Sequence, residues 1–178
     1  MRHYKIYPFS FNRTWDEYVN GFMEHSYRIW IGLETLHQIS KYSPHQVLTI
    51  EGYVETGPRS ANTFRAMYTD FNVGNRSTHY TITYSSYKNP NEYSLGNILN
   101  GLNGSSFSTF DRDNDGDDTR NCALQYAGGW WFNGLNNCST NSITSFFTCP
   151  SQNCGPNALK KLPGYEHDKI LGVELYMG

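Results

Sequence analysis

Five aspartates crowd one short stretch of the chain. Asp111, Asp113, Asp115 and Asp117 recur at every second position, Gly116 stands between the last two, and Asp118 follows directly. Carboxylates held this close repel one another unless a cation or water lies between them. Oxygen donors alternating around a glycine bend are how a short loop wraps Ca2+. A solvated acidic turn is the competing reading. The first half reads D-x-D-x-D-G, as an EF-hand loop begins. The twelfth position from Asp111, however, is Cys122 rather than the bidentate Glu, and no helical pattern enters the loop. The stretch 105–138, SSFSTFDRDNDGDDTRNCALQYAGGWWFNGLNNC, is therefore expected to be a calcium loop of another kind. Mixed carboxylates and carbonyls in a flexible loop suit Ca2+ better than Mg2+, which demands a near-octahedral shell.

Other chemistry is poorly served. The six histidines, at positions 3, 25, 37, 45, 79 and 167, form no metal-binding spacing. His37 reads as a packing or surface residue. No G-x-S-x-G, H-E-x-x-H or phosphate loop is present, so an enzyme is not expected. Fourteen Lys and Arg against sixteen Asp and Glu give a net charge of -2 without a basic run, which argues against nucleic acid as a partner. No apolar stretch is long enough to insert into a membrane.

Four cysteines, Cys122, Cys138, Cys149 and Cys154, allow three pairings. The sequential one, Cys122 with Cys138 and Cys149 with Cys154, closes two local loops and is the expected one. A zinc site from the same four is the alternative, but no C-x2-C spacing supports it. Glycosylation sequons at Asn12, Asn75, Asn103 and Asn137 join the cysteines in pointing to a secreted, extracellular glycoprotein. Asn137 adjoins Cys138, where a glycan would compete with the disulfide loop. The N-terminal MRHYKIYPF carries no apolar run before a small-residue cleavage site, so this expectation rests on cysteines and sequons alone.

A chain of 178 residues buries about two thirds of its unfolded surface, enough for one substantial core. With 16% aromatic residues and 16 glycines, a loop-rich domain packed by rings is expected rather than disorder. Thr14 followed by Glu17 is a capping box for a short helix whose inward face is Trp15, Val19 and Phe22. A strand over 27–31 should precede a second helix over Leu33–Ile39. Strands are expected at 46–53, 63–73, 79–84 and 169–176, with an irregular loop over 85–105.

Several of these segments carry a resemblance. FNRTWDEYVNGFMEHSYRIWIGLETLHQIS, FSTFDRDNDGDD and NCALQYAGGWW resemble the fibrinogen C-terminal domain, strongly from Phe11 to Cys138 and more weakly from Ser139 to Gly178. The resemblance implies an α+β fold. A mixed, mainly antiparallel sheet with short helices would use about 1–104 plus 165–178, and a loop-rich calcium-binding distal subdomain about 105–164. The family's upstream cysteine, its Gly-Gly-Trp-Thr strand and any collagen-like or coiled-coil stalk are absent from this sequence, which bears on whether it forms a homo-oligomer.

By position, Asp113 and Asp115 resemble the family's side-chain calcium ligands, and carbonyls near Asp117 and Thr119 its main-chain ligands. Asp111 would stand behind them and fix the loop. The span from Asp111 to Cys122 is one residue longer than the family's, so the second carbonyl could equally be that of Arg120. The implied ligand pocket comprises Gln125, Tyr126 and a floor of Trp130 and Trp131, then Asn137, Cys138 and Ser139, with a cis peptide at Asn137–Cys138. Departures follow. Ser139 stands where lectin members carry His, Ser142 and Thr144 replace two Asn, the loop from Trp131 to Cys138 is some three residues longer, and Cys149–Cys154 replaces an aromatic wall. The first expectation for function is a calcium-dependent lectin binding acetylated or other glycans in innate immunity. The second is an adhesion or signalling module that binds an extracellular protein.

Overall fold

The computed structural model describes residues 10–23, 29–43, 45–57, 60–89, 94–136, 138, 142–144 and 169–178. The capping box is made in full. Thr14 Oγ1 accepts from the backbone N–H of Glu17, and the Glu17 carboxylate accepts from that of Thr14, so two orphan donors are satisfied at the start of α1 (Trp15–Asn20). Strand β1 (Phe22–Met23) pairs with β2 (Ile29–Trp30), which leads into α2 (Leu33–Tyr42).

The central sheet is an antiparallel hairpin, β3 (Leu48–Gly57) and β4 (Ser60–Thr69), flanked by β7 (Ser86–Lys88) and β8 (Lys169–Met177) in the order β7-β4-β3-β8. Period-two alternation sets its faces. Leu48 and Ile50 on β3 and Phe64, Ala66 and Tyr68 on β4 are buried, while Thr49, Glu51, Arg65 and Met67 point away. Strand β8 adds the C-terminal segment to β3 in antiparallel register, with Leu175 opposite Ile50. Helix α2 packs on α1 and on the segment at Val73. Its Ser40 hydroxyl donates to Leu36 O and accepts from Val73 N–H, and His37 Nδ1 donates to Val73 O at 2.9 Å, so His37 serves packing.

Three expectations change. The strand expected over 63–73 breaks at Asp70, whose φ is 51°, and resumes as β5 (Asn72–Val73), paired to β6 (Ile82–Thr83) in a separate ribbon. The strand expected over 79–84 shrinks to β6, because His79 and Tyr80 both adopt left-handed backbone. Asn75 starts a short 3-10 turn over Arg76–Thr78, its side chain accepting from the N–H groups of Ser77 and Thr78. That turn rolls the Tyr80 ring into the core and aims the Tyr80 carbonyl at the indole N–H of Trp131, 2.7 Å away. The loop over 85–105 contains β7 and is pinned by buried Leu95, Ile98, Leu99 and Leu102, with Tyr68 Oη accepting from Leu99 N–H.

An aromatic cluster joins this frame to the acidic stretch. Tyr18, Trp30, Phe107 and Trp131 are buried ring against ring, with centroids 5.0 Å apart for Tyr18–Phe107 and for Phe107–Trp131. The Tyr18 hydroxyl donates to Phe11 O at 2.6 Å and accepts from Gly129 N–H at 2.9 Å. Burial pushes that phenol's pKa well up, which keeps the proton on this relay.

Candidate calcium loop and binding surface

The acidic stretch is held from both ends. Upstream, Ser108 and Trp130 exchange two backbone hydrogen bonds, and the Asn114 amide donates to Phe107 O. Downstream, Asn121 caps α3 (Cys122–Tyr126) by accepting from Leu124 N–H, while its amide donates to the carbonyls of Thr109 and Phe110. Asn114 and Asn121 drew no attention in the sequence. Asx-type bonding by asparagine in loops is the signal that could have found them. Cys122 and Cys138 are disulfide-bonded, with Cα atoms 5.6 Å apart.

Between these anchors the aspartates do unlike things. Asp111 Oδ1 accepts from the backbone N–H of Trp15 at 2.9 Å and from the Thr109 hydroxyl at 2.7 Å, tying the loop to α1. Asp113 accepts from Asp115 N–H. Asp115 is 6% exposed, with Oδ1 accepting from Asp117 N–H and Oδ2 from Cys122 N–H, each at 2.9 Å. Asp117 is clamped by the Thr119 hydroxyl and N–H and by the Arg120 guanidinium, and these hold its pKa down to about 2. Its backbone carbonyl accepts from Arg120 N–H at 3.3 Å. Asp113 moves the other way. Burial first, and then the neighbouring carboxylates of Asp115 and Asp117, raise its pKa against the pull of the Asp115 N–H.

This donor set fits Ca2+. Exposed Asp113 and buried Asp115 offer hard oxygens from one turn, and Asp113 bears a repulsion from its neighbours that a cation would relieve. A Cβ at Gly134 would fall 2.3 Å from Asp115 Oδ1, so the Gly134 backbone packs directly beside that carboxylate and no side chain fits between them. Asp115, Cys122 and Cys138 also place ligand-type atoms within 4.8 Å of one another. Both sulfurs are bonded to each other, which leaves the Asp115 carboxylate as the metal-ligating group of the three.

The expected pocket residues are dispersed. Gln125 is exposed, Tyr126 is buried and stacked on Phe132, and Cys138 is buried with φ 53°. Asn137, Ser139, the cis peptide expected at 137–138 and the Cys149–Cys154 ring lie outside the described residues. Trp130 and Trp131 are 1% and 2% exposed and line a groove of about 680 Å3 together with Trp30, Ile31, Ile143 and Leu175. Among the described residues its lining is mostly apolar, with polar groups from Thr144, Glu174 and Tyr176. Ser142 and Thr144 are themselves buried, and the Thr144 hydroxyl donates to Gly129 O at 2.7 Å. No helix among the described residues is long and apolar enough to cross a membrane.

The family model for the C-terminal globular domain of fibrinogen beta and gamma chains matches residues 8–153. Tenascin of Gallus gallus is 38% identical over 122 residues, covering 68% of this chain and 6% of that protein. Angiopoietin-related protein 6 of Mus musculus is 32% identical over 134 residues, covering 75% of this chain and 27% of that protein. The fibrinogen-like globe domain of human ANGPTL2 superimposes with a TM-score of 0.64 at 27% identity, covering 78% of this chain and 58% of that one. The chain thus spans about a quarter or less of these two curated relatives. They are protein-binding and adhesion ligands and not lectins, which overturns the expectation of a glycan-binding lectin of innate immunity. The physical reason lies in the departures. The positions that replace the two Asn hydrogen-bond within the core rather than toward a sugar, and the groove beside them offers few polar groups.

Proposed function

This chain belongs to the fibrinogen C-terminal globular domain family, whose members are non-catalytic recognition and adhesion modules, and from that premise we propose that it is an extracellular, calcium-stabilised module that binds a protein partner. Secretion of its angiopoietin-related and fibrinogen relatives supports the extracellular setting. In this reading the Asp113 and Asp115 carboxylates hold Ca2+, with carbonyls around Asp117 and Thr119 completing the shell, and 105–164 forms the distal region that the ion keeps in shape. The ion supplies charge compensation rather than chemistry. Asp111 and Asn121 orient the loop, and Cys122 passes its shape on to the disulfide and the segment beyond.

The observation that carries the reading is the chemistry of the groove. A concave surface floored by tryptophan rings and walled by Ile31, Ile143 and Leu175 desolvates apolar side chains well, and its polar groups among the described residues are few, those of Thr144, Glu174 and Tyr176. Ile31 and Leu175 at its rim are 48% and 40% exposed. Cell attachment to the immobilised protein tests this. Attachment should fall with Ile31→Glu or Leu175→Glu, and with chelation, at unchanged competition by N-acetyl sugars. Attachment that free N-acetyl sugar abolishes, or that ignores both substitutions, would sink it.

A further inference from the structure

Two loops of the chain meet in space. One is the acidic loop between Asp111 and Cys122, the other the connection that follows Trp131. The second forms a 3-10 turn, Gly134–Asn136, which closes on the first. Gly134 N–H donates to the Asp115 carbonyl at 2.8 Å. An added Cβ on Gly134 would sit 2.3 Å from Asp115 Oδ1 and 2.7 Å from Asp117 Cβ, and an added Cβ on Gly116 would sit 3.7 Å from Leu135 Cγ. The Arg120 guanidinium, bound to Asp117, also reaches Gly134 O at 3.5 Å.

We propose that the turn Gly134–Asn136 is a brace that aims the Asp115 carboxylate at the calcium ion, with Gly134 as its positioning residue. The proposal rests on the calcium reading above. Asp115 is fixed on three sides, by the N–H groups of Asp117 and Cys122 at its carboxylate and by Gly134 at its carbonyl. A side chain at position 134 would displace the Asp115 carboxylate or the Asp117 Cβ, neither of which is the free end of a long side chain. The disulfide holds the two loops within reach of each other.

Calorimetric titration of Ca2+ into the full chain and its Gly134→Ala variant, with Asn136→Ala as a control in the same turn, tests the brace. Calcium affinity should fall at least tenfold in Gly134→Ala and stay within about twofold in Asn136→Ala. Should Gly134→Ala fail to fold, amide hydrogen exchange of the unmutated protein decides, the Gly134 N–H being expected to exchange more slowly once Ca2+ is added. Equal affinity in the wild type and Gly134→Ala overturns the brace while leaving the calcium reading intact, as does a Gly134 amide whose exchange ignores the ion. An unmutated protein that takes up no Ca2+ removes the calcium reading itself, and the brace with it.

Discussion

The Asp115 carboxylate accepts a hydrogen bond from the backbone N–H of Cys122 at 2.9 Å, at the residue whose sulfur is bonded to Cys138. One buried side chain thus connects the acidic loop to the disulfide. Because Asp115 Oδ1 is engaged by Asp117 N–H as well, this carboxylate is a structural acceptor in its own right before any cation is considered.

Asp113 and Asp115 should therefore respond differently to substitution. In Asp115→Asn one oxygen becomes an NH2 facing a backbone N–H, and a buried donor loses its acceptor. Such a loss costs about 1–3 kcal/mol. Urea denaturation should register it in chelator and in calcium alike. In Asp113→Ala, whose carboxyl already suffers burial and repulsion, the loss should appear with calcium only. Equal behaviour of the two variants in chelator would refute the distinction.

Asp111 acts on α1 across 96 residues of chain, accepting the N–H of its first residue, Trp15, while the Arg112 guanidinium lies 4.4 Å over the Trp15 ring. Removing a side-chain acceptor at a helix start costs about 1 kcal/mol. Asp111→Ala should lower stability by about that amount whether or not calcium is present. A loss confined to calcium-loaded protein would return Asp111 to the metal shell.

Much of the frame could be read from residue order. The capping box at Thr14, the alternation that makes β3 and β4, and the apolar C-terminal strand are local patterns, and local patterns survive folding. The breaks did not show, because Asp70, His79 and Tyr80 turn left-handed to satisfy distant partners such as the Trp131 indole. The lectin expectation failed for a related reason. Ser142 and Thr144 stand where the resemblance places two Asn, yet their hydroxyls bond inside the core, and only the coordinates show which way a small hydroxyl points.

Folding should also depend on acid through α1. The backbone N–H of Thr14, above all, lowers the Glu17 pKa below its ordinary value of about 4.3, with the Thr14 hydroxyl and Arg13 adding to it. A depressed folded-state pKa means stability that is present above the ordinary value and lost as pH falls through the shifted one. Thermal melts at falling pH should show Glu17→Gln less acid-sensitive than the wild type. Parallel pH profiles would contradict this.

Reduction of the Cys122–Cys138 bond opens a loop of 16 residues. The chain-entropy estimate for a loop of that size is about 3 kcal/mol. Cys122→Ser with Cys138→Ser should lose stability on that order and weaken calcium binding, since the Asp115 acceptor sits on the Cys122 N–H. Retained calcium affinity in the double variant would separate the loop from the disulfide.

The last prediction concerns the second glycine of the Gly-Gly-Trp-Trp run. A Cβ at Gly129 would lie 2.6 Å and 2.8 Å from Tyr18 ring atoms and 2.9 Å from the Phe107 ring, all buried and all hemmed in by Trp30 and Trp131. Overpacking of this kind costs about 1–3 kcal/mol. Gly129 also donates its N–H to the Tyr18 hydroxyl and receives the Thr144 hydroxyl at its carbonyl, so any shift that relieves the clash strains two hydrogen bonds. Gly129→Ala should accordingly destabilise more than Tyr18→Phe, which keeps the packing and removes the hydroxyl's hydrogen bonds to Phe11 O and from Gly129 N–H. Combining the two should cost less than the sum of the single losses, because without the hydroxyl the ring is freer to move from the added methyl. A double-mutant cycle by chemical denaturation measures this, and strict additivity would mean that Gly129 and Tyr18 are not coupled through the contact described.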